Sequence, residues 1–126
     1  MGNRVVVGFQ NRIDDPIIYL YQHHGDERKE ALASAISSAQ SRWTDADYAT
    51  RIVISQLIGD DWSQNLSYGL SVNRFAYPDY PTIYVVEWER GLVTTRNTDN
   101  PAEVLGSETI AEFASYEPAT RQESLI

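Results

Sequence analysis

Two β-branched runs near the start, a switch to helical periodicity in the middle and a return to strand patterning predict an α+β fold. The expected architecture is an antiparallel sheet with two helices packed on one face, in the order ββααβββ, followed by a short C-terminal helix. With 126 residues, the chain has room for one hydrophobic core rather than two. Residues 1–117 are read as one α+β domain and 118–126 as a flexible C-terminal tail. Hydrophobic residues make up 42% and charged residues 22%, a balance that belongs to globular rather than disordered chains. No internal repeat or low-complexity linker divides the sequence.

The first strand is Arg4-Val5-Val6-Val7-Gly8-Phe9 and the second Pro16-Ile17-Ile18-Tyr19-Leu20-Tyr21, with a polar turn at Asn11–Asp15 between them. Together they read as a β-hairpin whose continuous apolar character suits a covered, central position. After Gly25 the apolar residues Leu32, Ile36, Ala39 and Trp43 recur at helical offsets between charged positions, which gives the first helix. Thr44 followed by Asp47 resembles a capping box, with Asp where Glu or Gln is usual, and opens a second helix that ends near Gly59. Tyr48, Ile52, Val53, Leu57 and Ile58 form its expected buried face.

Strand signals then return at Ser67–Asn73 and at Thr82–Trp88. A turn at Glu89-Arg90-Gly91 leads to a further strand, Leu92–Thr95. The segment Asn97–Pro101 reads as a loop, and Ile110, Phe113 and Ala114 as the docking side of the short final helix. An α+β sheet covered by helices on one side leaves its second face open, and self-association is one way of covering it. The chain is therefore expected to form a homo-oligomer.

Composition removes several classes of function. The absence of cysteine excludes disulfide scaffolds, thiolate nucleophiles and Cys-based zinc sites. No apolar run approaches the roughly 20 residues needed to span a bilayer, and the N-terminal residues lack a signal-peptide pattern. A cytoplasmic location, with no membrane partner, is expected. The formal charge of −8 argues against binding to long nucleic acid, which needs clustered Lys and Arg to displace counterions. A small anionic ligand remains compatible, because the basic residues are arginine except for Lys29 and guanidinium forks suit phosphate and carboxylate.

Catalytic patterns are weak. Gly69-Leu70-Ser71-Val72 lacks the second glycine of a nucleophile elbow, and no phosphate-cradling glycine loop occurs. Asp60-Asp61 follows a helix C-terminus, where negative charge is unfavourable. His23, His24 and Asp26 could offer metal ligands, yet adjacent strand residues point to opposite faces. Their plainer roles are to satisfy backbone groups and, for Asp26, to cap the first helix. No metal, cofactor or catalytic residue is therefore assigned.

The most informative stretch is Asn73-Arg74-Phe75-Ala76-Tyr77-Pro78-Asp79-Tyr80-Pro81. It joins two strands but carries three aromatics, an arginine and two prolines that restrict it. Aromatic faces with a guanidinium suit a flat base bearing a phosphate; the same residues also suit the sealing of a sheet edge or a subunit contact. Arg51 lies in the apolar helix segment 48–54, where its partner is either Asp47, one turn back, or a ligand or neighbouring subunit.

Met1-Gly2-Asn3-Arg4, the segment Ile18–Gly25 and Ala49-Thr50-Arg51-Ile52 look like small phage-encoded proteins. The layout of residues 1 to 96 resembles the first class of Thoeris anti-defence proteins. These are phage sponges that sequester cyclic ADP-ribose-type signals, and some also capture cyclic oligonucleotides. The resemblance implies a non-enzymatic, oligomeric binder of a nucleotide-type ligand in the host cytoplasm, with pockets at subunit boundaries. Arg51, Arg74, Phe75, Tyr77 and Arg96 are the ligand-binding candidates, chosen for their chemistry rather than by alignment. Two other classes stay open: an acidic interaction module that inhibits a host protein, and a metal-assisted nucleotide hydrolase built on His23, His24 and Asp26.

Overall fold

The structure, a computed structural model, describes residues 3–23 and 29–117. Strands β1 (Val5–Gln10) and β2 (Ile18–Gln22) form the expected hairpin, with Val7 opposite Leu20. Helices α1 (Lys29–Ser38) and α2 (Ala46–Ile58) follow, separated by a 3-10 turn at Gln40–Arg42. A second 3-10 turn, Gly59–Ser63, leads to β3 (Tyr68–Val72), β4 (Thr82–Glu87), β5 (Leu92–Asn97), β6 (Asn100–Thr109) and α3 (Ile110–Ala114). The fold class is α+β, with a single six-stranded sheet in the order β3-β2-β1-β4-β5-β6.

Alternation along the strands sorts the side chains into two layers. Val5, Val7 and Phe9 of β1, Leu20 of β2, Val86 of β4 and Val93 of β5 face the helices. There they pack with Leu32 and Ile36 of α1, Ala49 and Val53 of α2, and Ile110 and Phe113 of α3. Trp88 belongs to the same core, and its indole N–H donates to Thr50 Oγ1 at 2.8 Å. Thr50 donates in turn to Asn11 Oδ1 at 2.6 Å. This buried polar chain ties α2 to the β1–β2 turn without leaving an orphan donor.

The other face carries a smaller apolar cluster of Val6, Tyr19, Ile83 and Val85, against which Ile17, Tyr21 and Phe75 pack. Gly8 makes this possible: a Cβ there would stand 3.0 Å from Ile17 Cγ2, 3.0 Å from Tyr19 Cε1 and 3.1 Å from Val85 Cγ2. The second face is thus partly sealed by the chain's own loop.

Several local expectations are corrected. The sheet is mixed, because β1 and β4 are parallel neighbours while the other four pairings are antiparallel. The chain crosses over through the helical layer and β3 before returning beside β1, so the central pair runs in one direction. The loop expected at 97–101 is cut to a two-residue turn at 98–99, after which the chain forms a ten-residue strand. The final helix is only Ile110–Ala114, opened by a true capping box between Thr109 and Glu112. The proposed Thr44/Asp47 box is absent: α2 has Asp45 at its N-cap with no side-chain cap bond. Asp47 instead accepts from Asn11 Nδ2 and Arg12 at 3.0 Å each. Tyr48 is exposed rather than buried, under Arg42 stacked 5.1 Å from its ring centre. Gly59 does end α2, at φ +59°, a conformation that favours glycine.

Candidate functional site

The β4–β5 hairpin builds the strongest polar constellation outside the core. Register places Glu87 opposite Leu92, Val85 opposite Thr94 and Ile83 opposite Arg96. Glu87, Thr94 and Arg96 therefore share the face turned away from the helices. Glu87 Oε2 accepts from Arg96 at 2.7 Å and from Thr94 Oγ1 at 2.8 Å, while Oε1 lies 3.2 Å from Arg90 Nε. The side chains of Glu87 and Arg96 are only 5% and 12% exposed. Taking a carboxylate so far out of water costs free energy unless it is paired and hydrogen-bonded, as Glu87 is here.

Arg96 is partnered at all three nitrogens: its Nε donates to Thr94 Oγ1 at 2.9 Å and its remaining terminal nitrogen to the Pro101 carbonyl at 2.9 Å. Arg90 is not. It is half exposed, and among the described residues its only partner is Glu87. Its terminal N–H groups are thus available beside a groove of about 380 Å³ lined by Gln10, Ile13, Ile17, Leu92, Val104 and Ser107 in addition to the charged cluster. Two guanidiniums against one carboxylate leave the floor with one net positive charge in a chain of formal charge −8. Glu89, the nearest acidic residue along the chain, is turned to the Ile13 N–H at 2.7 Å.

The loop 73–81 reaches the same sheet face through Phe75, whose ring centre lies 4.7 Å from that of Tyr19 at an interplanar angle of 55°. Burial raises the Tyr19 phenol above its ordinary range, and the nearby Arg96 charge partly opposes the rise. Tyr19 is therefore neutral at physiological pH and buried under Phe75. Phe75 and Arg96 are therefore brought to one face, each near Tyr19.

The other candidates lie elsewhere. Tyr77 is exposed and donates to Asp99 on the β5–β6 turn, a hydrogen bond that lifts its phenol above the usual range. Arg74 is exposed and makes no ion pair among the described residues; its carbonyl accepts from Ser71 Oγ. Arg51 is exposed on the helical layer, where it donates to Ser55 Oγ at 3.3 Å rather than pairing with Asp47. A site combining Arg51 with Phe75 and Arg96 would have to pass through the sheet, so Arg51 is not part of this one.

The loop is anchored by Asp79, which accepts from the Arg4 backbone N–H at 2.8 Å and from the Arg4 guanidinium at 3.1 and 2.8 Å. These bonds hold the Asp79 carboxyl below its ordinary range. For the metal reading, His24 and Asp26 lie outside the described residues, as does the cap proposed for Asp26. Among the described residues no group of three or more His, Asp or Glu could hold a metal ion. Asp61 accepts from Gln64 and Tyr68 at 3.1 Å each and is placed as a structural acceptor. No helix among the described residues is long and apolar enough to cross a membrane.

Sequence reading singled out Arg96 and Phe75, which lie on this face, but not Glu87, Arg90 or Thr94. The signal was present in the predicted hairpin: once a tight turn at 89–91 is assumed, residues 87, 94 and 96 fall on one face by their spacing of two. In comparisons with known proteins, the chain matches no family model, no curated protein and no solved structure.

Proposed function

We propose that this protein is a non-catalytic binder that captures a small anionic ligand of nucleotide type on the sheet face opposite the helices and holds it without cleaving it. The observation that carries the reading is the half-committed Arg90 guanidinium beside a groove of small-molecule size. Its fork is oriented by buried Glu87, which is itself fixed by Arg96 and Thr94. A guanidinium paired through Nε keeps its terminal N–H groups for a charge-assisted bond to an anion in a groove of mixed polar and apolar lining. Phe75, half-buried against the buried Tyr19 on the same face, supplies flat apolar surface for a ring.

In its most specific form the ligand is a nucleotide-derived immune signal, a cyclic ADP-ribose isomer or cyclic oligonucleotide, and the protein is a phage anti-defence sponge acting in the host cytoplasm. The test is mass spectrometry of small molecules released by heat from purified protein after incubation with those nucleotides. Intact nucleotide from the wild type and at least about tenfold less from Arg90→Gln, the loss of one charge-assisted bond, supports the reading. Equal recovery from both moves the site elsewhere, and a cleaved product replaces capture with hydrolysis.

A second reading, an acidic module that binds a host protein, is favoured by one observation. Trp62 and Leu66 are 79% and 75% exposed, with Leu70 and Val72 exposed nearby on β3. Co-purification of one host protein, abolished by Trp62→Ser and retained by Arg90→Gln, would establish it.

A further inference from the structure

The edge strand β3 combines three features seldom found together on a free edge. It is the terminal strand of the sheet, with no further strand beyond it among the described residues. It lacks the devices that normally protect such an edge, since Tyr68-Gly69-Leu70-Ser71-Val72 contains no proline and no charge. The uncharged character also extends from Trp62 to Asn73, twelve consecutive residues in a chain that carries 10 basic and 18 acidic residues. The same stretch holds four of the large exposed hydrophobics: Trp62, Leu66, Leu70 and Val72.

Backbone direction selects the register in which this edge can pair. The Asn73 N–H donates to the Ile17 carbonyl at 2.9 Å and the His23 N–H to the Ser67 carbonyl at 2.7 Å. Residues 67 and 73 therefore aim their backbone groups at β2. Antiparallel alternation then directs Gly69 and Ser71 toward β2 as well, and Tyr68, Leu70 and Val72 outward. A second β3 laid antiparallel about Leu70 sets Leu70 against Leu70 and Tyr68 against Val72, so that every outward donor and acceptor meets one. The side chains of those residues share the helix-side face, because β2 places Leu20 opposite Leu70. Beside them runs a groove of about 290 Å³ lined by Leu20, Ile58, Trp62, Tyr68 and Leu70, and by Gln64 and Asp61, whose carboxylate accepts from the Tyr68 hydroxyl.

We infer that β3 is the interface of a two-fold homodimer, in which two copies join edge to edge into one continuous twelve-stranded sheet. Self-complementarity decides for a second copy over a foreign strand. One strand of this sequence satisfies both its own hydrogen-bonding direction and its own apolar face, as an isologous contact requires. Charge then selects where two copies can meet: two acidic chains, each of formal charge −8, repel, and contact is least opposed where neither carries charge. A five-residue strand pair is narrow beside the roughly 1,200 Å² that a specific interface buries. Trp62 and Leu66, outside the strand but within the uncharged stretch, supply the additional apolar area.

The test is sedimentation equilibrium of the full chain at concentrations from about 1 to 100 µM, the range of ordinary protein contacts. Leu70→Lys and Trp62→Ser are compared with the wild type, with far-UV circular dichroism and melting curves as checks on folding. Leu70→Lys places two ammonium groups against each other on the two-fold axis. The expected result is a wild-type dimer, with association weakened by at least about a hundredfold in Leu70→Lys, one hot-spot loss from each copy. A smaller loss is expected in Trp62→Ser. A wild type that is monomeric throughout overturns the inference. A dimer that survives both folded variants does so equally, because the interface must then lie elsewhere. If Leu70→Lys does not fold, Trp62→Ser alone decides, since Trp62 is outside the strand.

Discussion

At Glu87 a nearly buried carboxylate is held by Arg96, Thr94 and Arg90, and the stability of this cluster depends on its completeness. Removing the acid leaves the Arg96 guanidinium buried beside an unfilled acceptor position, the situation in which broken buried pairs cost about 3–5 kcal/mol. Glu87→Ala is expected to lose stability of that order in urea titrations, and the paired change Glu87→Met with Arg96→Leu less than half as much. If the pair proves as costly as the single change, the charges contribute net stability. Asp79 makes a separate, pH-dependent contribution. Its folded pKa is depressed by Arg4 below the ordinary value of 3.8, so its stabilisation is present above that value and is lost as pH falls through the lower folded value. Asp79→Asn should therefore melt a few degrees below the wild type at pH 6, and the gap should shrink as the pH falls below 3.8. A gap independent of pH would mean that the hydrogen-bond geometry, not the charge, anchors the loop.

Among the elements, β1 and β2 were legible because their buried runs are β-branched and their turn is polar, and β4–β5 for the same reason. β6 was not, and its residues explain why. Asn100–Thr109 includes Pro101 and Gly106, most of its side chains are exposed, and its register with β5 shifts around Arg96. A strand that buries little shows no alternation in sequence; pairing with β5, not its own pattern, makes it a strand. The α2 cap was misread for a related reason, since Asp47 had a better partner across the fold in Arg12 than in its own helix. The groove was half legible: Arg96 stood out by chemistry, whereas Glu87 and Arg90 acquire meaning only through the cross-strand register. At this scale Gly8 matters, because a Cβ there would stand 3.0 Å from Tyr19 and Ile17 and require them to shift by a few tenths of an ångström. Gly8→Ala is expected to cost about 1–3 kcal/mol by overpacking. It should also displace Tyr19 and Phe75, read as an altered near-ultraviolet circular dichroism spectrum with the far-ultraviolet spectrum unchanged. An unaltered aromatic spectrum would show that the face can relax around a methyl group.

Across the molecule, the two proposed surfaces lie toward opposite ends of the sheet. The groove draws its residues from β1, β4, β5, β6 and the β1–β2 turn, whereas the dimer edge is β3, at the end of the order β3-β2-β1-β4-β5-β6. Association through β3 extends the sheet sideways and leaves the groove open on each copy. Each chain then carries a complete site, in contrast with the pockets at subunit boundaries that the resemblance to the sponges implies. Ligand capture by folded, monomeric Leu70→Lys should therefore equal that of the wild type to within about twofold, well under the tenfold that 1.4 kcal/mol represents. Isothermal titration with the nucleotide recovered from the wild type measures this directly, at an expected stoichiometry of one ligand per chain. Capture lost together with the dimer, or half a ligand per chain in the wild type, would place the site across a subunit boundary. Arg74 on the exposed part of the loop would then replace Arg90 as the first guanidinium to change.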